Sequence, residues 1–162
     1  MSQLYCTWSH RSSFSNSLRS EFGDLDYFIS DLLSKARERL LVVAPYLSML
    51  GMSRLQGPMA TAAENGAWIR LVTCELRDSD SWNFKSVQKL VAGPEGMIIR
   101  NRLRVLCPAT DALTFIHAKL IIADHIRGYL GSANLSGGGL DRNFEVGVAL
   151  SADQAGALER LV

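Results

Sequence analysis

The sequence predicts a single α/β domain in which a mixed β-sheet carries helices on both faces. Three observations predict it. Leu25, Phe28, Ile29, Leu32, Leu33 and Ala36 recur at the spacing of one helical face. Leu40 to Ala44 is apolar on both sides, as a strand covered by helices would be. The segments alternate strand and helix at first and then turn to several strands in succession, which is the order of a layered α/β domain. A chain of 162 residues, 48% apolar, suffices for one such domain with a sizeable core.

Taken in order, residues 1–17 are rich in Ser and show no period, so they are expected to form a loose arm that packs through Tyr5 and Trp8. His10 carries no pattern. Residues 18–162 make the domain. Its first helix starts near Asp24, with Asp24 and Asp26 at the N-terminus and Lys35 and Arg37 at the C-terminus, as the helix dipole favours. Pro45 stops the strand that follows. Residues 46–57, with Gly51 and Gly57, read as a loop, and a second helix runs from Pro58 to a cap at Gly66. Trp68 to Cys74 reads as a strand, 75–81 as a loop and Trp82 to Ala92 as a helix, broken by Gly93-Pro94-Glu95-Gly96. Strands are expected over Leu103–Leu106, Phe115–Ala123, Ile126–Leu130 and Phe144–Leu150. Gly137-Gly138-Gly139 reads as a flexible link, and Ser151 to Gln154 as a capping box that opens a terminal helix.

Charge and cysteines narrow the class. A net charge of +1 gives no strong global field, so attraction to nucleic acid or acidic membranes must come from a local patch. Cys6, Cys74 and Cys107 are odd in number and far apart, which suggests free thiols in a reducing cytosol rather than a disulfide framework or a zinc site. The N-terminus lacks the basic start and apolar run of a signal peptide. No apolar run reaches the length of a bilayer span. The expectation is a soluble cytoplasmic protein without stable membrane association.

The stretch from His117 to Asn134 carries the chemistry. Reduced to its chemistry, it is His117-x-Lys119-x4-Asp124-x6-Gly131-Ser132-x-Asn134. In a strand, His117 and Lys119 point the same way, while Ala118, Leu120 and Ile122 point into a core. An imidazole titrates near neutral pH and can attack phosphorus or protonate a leaving oxygen. A neighbouring ammonium binds phosphate oxygens. Asp124 suits a turn at the strand's end. Gly131 allows close backbone approach, and the Ser132 hydroxyl and Asn134 amide can hold charge that builds on phosphorus.

This spacing, followed by Asn143-Phe144-Glu145-Val146-Gly147, resembles the HKD signature of the phospholipase D superfamily without gap or substitution. The resemblance follows residues 24–150 in element order and is specific over 117–147. It implies a phospholipase D-like domain in which His117, Lys119, Asn134, Asp124 and Glu145 form the catalytic set, with Asp124 shaping the site rather than reacting. It implies no metal and no cofactor. Glu145 would orient an imidazole nitrogen. Ser132 and Gly131 would help to bind substrate. His125 has no place in the signature.

Only one signature is present, whereas the superfamily's site takes two. Short members resemble this chain and form a homodimer with a shared active site. Two neighbouring imidazoles separate their titrations, so one can attack while the other donates a proton. A two-fold interface makes that pair automatically. The reaction implied is a phosphohistidine formed on one His117 while the other protonates the leaving oxygen.

The signature specifies phosphodiester chemistry and leaves the substrate open. Arg100, Arg102 and Arg104 alternate as in a strand, and Arg127 and Arg142 flank the signature. Arg104, Arg127 and Arg142 are the candidate contacts to successive phosphates. Small single-signature relatives are mostly nucleases, and some sit in bacterial anti-phage loci. The leading expectation is a metal-independent nuclease that contacts the backbone of DNA or RNA. The alternatives are a phospholipid phosphodiesterase or phosphatidyltransferase, and a subunit active only with partner proteins of a defence complex.

Overall fold

The computed structural model describes residues 3–7, 21–108 and 116–162. Helix α1 (Leu25–Ser34) begins where expected. The Asp24 carboxylate caps it by accepting the Tyr27 amide at 2.9 Å, a cap worth about 1 kcal/mol. The helix buries Leu25, Phe28, Ile29, Leu32 and Leu33.

The central strand β3 (Arg39–Val43) is buried from Leu40 onward. It pairs in parallel with β4 (Trp68–Val72), which pairs in parallel with β5 (Leu103–Leu106). On its other side lies antiparallel β6 (Leu120–Ala123), followed by antiparallel β7 (Arg127–Gly131) and β8 (Val146–Leu150). The sheet is completed by β1 (Leu4–Cys6), antiparallel to β8, and the short β2 (Gly23–Asp24). The eight strands run in the order β2-β1-β8-β7-β6-β3-β4-β5. The arm expected to be loose thus contributes a strand at Leu4–Cys6, and the Tyr5 ring stacks on Phe28 at 3.9 Å. Trp8, His10, Arg11 and Phe14 lie outside the described residues.

Helix α2 (Met49–Glu64) starts well before Pro58, and the loop expected over 46–57 is mostly helix. Ser48 caps it by accepting the Gly51 amide at 3.1 Å. Pro58 has no amide to give the preceding turn, a loss of roughly 3 kcal/mol inside a helix. Burial of Met52, Leu55 and Met59 contributes on the order of 5 kcal/mol and offsets it. The far end matches expectation, with Gly66 at φ +104 just past the last turn. Helix α3 (Trp82–Leu90) is followed not by a break but by α4 (Gly93–Arg100), with Pro94 in its first turn, where a missing amide costs nothing. Arg100 therefore ends a helix, and the alternating arginine strand expected from 100 to 104 is not formed.

Helices α1 to α4 cover one sheet face and close the main core around Leu40, Val42, Ile69, Leu71 and Ile121. The C-terminal helix α5 (Ala152–Glu159) opens with the expected capping box and lies on the other face, over Leu41 and Ile122. Among the described residues no helix is long and apolar enough to cross a membrane.

Candidate active site

Val43, the last residue of β3, pairs with Leu120, the first of β6. His117 and Lys119 therefore stand at the sheet end where β3 and β4 finish. The regular strand begins at Leu120, later than the expected start at Phe115, which lies outside the described residues. The ladder reaches one residue further, because the Gly131 amide donates to the Lys119 carbonyl at 3.2 Å. Lys119 is 8% exposed and His117 is exposed. Lys119 Nζ donates to the His117 carbonyl at 2.9 Å and lies 3.3 Å from both ring nitrogens. The ammonium and the imidazole thus form one unit, with the lysine stem buried and the ring facing solvent.

The second half of the signature closes over this pair. A side-chain carbon at Gly147 would meet the Tyr129 ring, and one at Gly131 would meet its hydroxyl. The two missing side chains make room for Tyr129, which is fully buried and accepts the Ala133 amide at 3.2 Å. Burial pushes this phenol up to about 12, with the Glu145 charge acting in the same direction, so it stays protonated near neutral pH. The absent Gly131 side chain leaves room for the ring that holds the Ser132–Asn134 loop. Gly139 presses on the Asn134 backbone, where a side-chain carbon would come within 2.8 Å of the amide nitrogen. The three glycines expected to be a flexible link thus lead into a packed π-helical turn, Gly138–Arg142. Asn134 Oδ1 is buried without a hydrogen-bond partner among the described residues.

Glu145 was expected to orient an imidazole. Within this chain its carboxylate accepts the Ser132 hydroxyl and the Asn143 amide, the latter at 3.3 Å. Thr7, 4% exposed, accepts the Glu145 amide at 2.9 Å and donates to the Asn143 carbonyl at 2.5 Å. Arg142 is exposed at the end of the π-helical turn, beside Asn143.

Asp124 ends its strand and bonds backbone as expected, but the sheet carries it and Arg127 away from His117. Strand β6 separates Asp124 from Lys119, so the carboxylate sits at the opposite sheet end. There it accepts the amides of Arg37, Glu38 and Arg39 at 2.8–3.2 Å. Arg127 is held by Asp31 at 3.0 Å on that same side. Arg104 pairs in register with Arg70 and, through it, with Leu41, so it lies at mid-strand on the β5 side of the sheet, three strands across from β6. His125 contacts the Glu159 carboxylate and ties α5 to the β6–β7 turn.

Sequence reasoning missed four supporting residues. They are Tyr129, Thr7, Ser48 and Asn83. Ser48 also accepts the Gly137 amide at 3.1 Å, and so joins the start of α2 to the Asn134 loop. Asn83, buried in α3, bonds the Pro45 and Cys74 carbonyls and the Leu47 amide, fixing the loops that leave β3 and β4. A polar residue on an otherwise apolar helix face was the signal for Asn83; Thr7 had none. Tyr129→Phe removes the acceptor of a buried amide and is expected to cost about 1–3 kcal/mol. Gly131→Ala is expected to cost a similar ~1–3 kcal/mol by overpacking. Urea unfolding at pH 7 measures both as lower midpoints; an unchanged midpoint for Tyr129→Phe would show that the hydroxyl does not support the loop.

The family described as "Cardiolipin synthase, PLD-like domain" matches residues 29–160. Among solved structures, the chain is similar to Nuc, a phospholipase D family member from Salmonella typhimurium. The TM-score is 0.65 at 16% identity, over 99% of this chain and 90% of that one. It is also similar to NucT from Helicobacter pylori, with a TM-score of 0.62 at 15% identity over 98% and 93% of the two chains. Phosphatidylserine synthase from Haemophilus influenzae Rd KW20 gives a TM-score of 0.61 at 17% identity, over 99% of this chain and 36% of the synthase. Among curated proteins no sequence matches.

Proposed function

The chain belongs to the phospholipase D superfamily through its PLD-like domain, and from that premise we propose that it is a metal-independent nuclease acting as a homodimer. The observation that carries the reading is Lys119 Nζ at 3.3 Å from both nitrogens of an exposed His117 ring. A nucleophile and an anion-binding charge stand together where a phosphate can reach them. A second observation supports the dimer. Leu4, Leu130 and Val146 are 38–46% exposed on the sheet face away from α1 to α4, on the neighbouring strands β1, β7 and β8, the last two flanking the Ser132 and Glu145 segments. A second copy would cover that apolar patch and bring its own His117. The buried Asn134 Oδ1, without a hydrogen-bond partner among the described residues, fits a centre completed by other groups, since an orphaned buried acceptor costs about 1–3 kcal/mol.

In the proposed reaction, a ring nitrogen of His117 attacks phosphorus and the bond to the leaving oxygen breaks. That oxygen takes a proton from His117 of the second copy. The same imidazole then removes a proton from water, which attacks phosphorus and breaks the P–N bond. The products are a phosphate monoester and an alcohol, and both histidines are regenerated. Lys119 and Asn134 of each copy hold the non-bridging oxygens.

The nucleic-acid substrate draws on the resemblance to small single-signature members. Nuc and NucT are matched along nearly their whole length, and the synthase along about a third of its own. The synthase keeps a lipid phosphodiester as the second reading. Free thiols at Cys6, Cys74 and Cys107 support a reducing compartment. Labelled single- and double-stranded DNA and RNA, incubated with the protein in EDTA beside phosphatidylglycerol vesicles, test the proposal. Nucleic acid should be cut without metal. Intact nucleic acid together with cleaved lipid would reverse the assignment.

A further inference from the structure

At the sheet end remote from His117 lies a cavity of about 560 Å³, open on the face that α5 only partly covers. Its floor is set by register. Arg39 pairs with Trp68, and in the next row on the same face Leu41, Arg70 and Arg104 lie side by side. Arg70 and Arg104 are thus like charges directly opposite each other on neighbouring strands, an arrangement that destabilises a sheet. Among the described residues, neither they nor Arg39 forms an ion pair. The acidic members of the lining are Glu38 and Glu159, and Glu159 is engaged by His125.

Beside the arginines stands Trp68, 62% exposed although it lies in a strand. One side of its ring is backed by the Arg102 guanidinium, 5.1 Å from the ring centroid. Arg102 is itself fixed by a 2.8 Å bond to the Gly66 carbonyl. The indole is therefore held in place with its other side toward solvent.

We infer that this groove binds single-stranded nucleic acid, with Arg70 and Arg104 on backbone phosphates and a base stacked on Trp68. Two features favour a strand over a small anion. The cations spread from Arg39 to Arg104 across three adjacent strands, about 10 Å, which is wider than one phosphate. A free phosphate also has no use for an aromatic platform, whereas every base has a face to stack. The floor row Leu41–Arg70–Arg104 continues into Ile122, five residues along the chain from His117, and the inference goes beyond the proposed cleavage and does not depend on it.

The test uses the full chain carrying His117→Ala, so that no substrate is consumed, and a fluorescein-labelled deoxythymidine 20-mer read by anisotropy. Adding Arg70→Ala and Arg104→Ala should weaken binding about tenfold or more. It should also lower the slope of log affinity against log salt by about 1.4, the loss of two contacts to a single strand. Arg70→Lys with Arg104→Lys should keep the slope. Trp68→Ala should weaken binding about fivefold or more and Trp68→Phe should restore most of it, as stacking requires. Unchanged affinity and slope in the double alanine variant would overturn the proposal. So would equal losses for Trp68→Phe and Trp68→Ala, or full displacement of the oligonucleotide by inorganic phosphate at matched phosphate concentration. Oligonucleotide binding that needs Arg70 and Arg104 supports the groove even if the wild-type chain cleaves only lipid.

Discussion

His117→Ala is expected to lower phosphodiester cleavage by about 10⁴-fold or more, since it removes the nucleophile and the proton donor together. The ring is exposed and its replacement leaves the Lys119 stem buried, so the fold should persist. A mixing experiment tests the shared centre. Wild-type and His117→Ala chains are combined in equal amounts, unfolded and refolded together. If each centre needs an imidazole from both chains, only wild-type pairs are active, and activity falls to about one quarter of that of an equal amount of wild-type chain. Independent centres would give about one half. A value of one half would refute the two-imidazole mechanism while leaving the importance of His117 intact.

Asp124→Ala is expected to cost about 2–4 kcal/mol of stability. The substitution orphans the amides of Arg37, Glu38 and Arg39 and leaves alanine at φ +53, a left-handed conformation that Asp tolerates better. For a domain of this size the melting temperature should drop by several degrees. Burial alone would raise the carboxyl's pKa, but the amide bonds from Arg39, Glu38 and Arg37 bring it below its ordinary value. A carboxyl depressed in the folded state contributes stability above its unfolded pKa and loses it as pH falls through the folded value. The gap between wild type and Asp124→Ala should therefore be full at pH 7 and shrink below about pH 4. Denaturant melts at pH 7 and pH 3 measure it; a gap that is constant with pH would mean that charge plays no part.

Where neighbours in sequence are neighbours in space, the sequence could be read directly. The periodic face of α1, the double-sided apolarity of β3 and the pairing of His117 with Lys119 are local patterns, and each appears in the structure. The failures are tertiary. Gly51, Gly57 and Pro58 weaken the helical signal of α2, yet Gly51 lies so close to the Leu135 carbonyl carbon, 2.7 Å from where a side-chain carbon would be, that glycine is what lets α2 dock there. Gly93-Pro94 reads as a stop and serves as a start. Asp124 and Arg127 lie within the span of the signature in sequence, but seven residues of extended chain cover roughly 20 Å, so they belong to the opposite end of the central strands. Nothing local marks Tyr129, because only the fold brings Gly131 and Gly147 against its ring and hydroxyl.

The antiparallel pairing of Leu4–Cys6 with Val146–Val148, and Thr7's grip on Asn143 and Glu145, bear on biosynthesis. Leu4 to Cys6 find their partners only after some 140 more residues have been added. A growing polypeptide on the ribosome can fold its helices early, but such distant pairing closes late and slowly. Translation itself would then delay the appearance of a competent enzyme until the region around Val148 has left the exit tunnel.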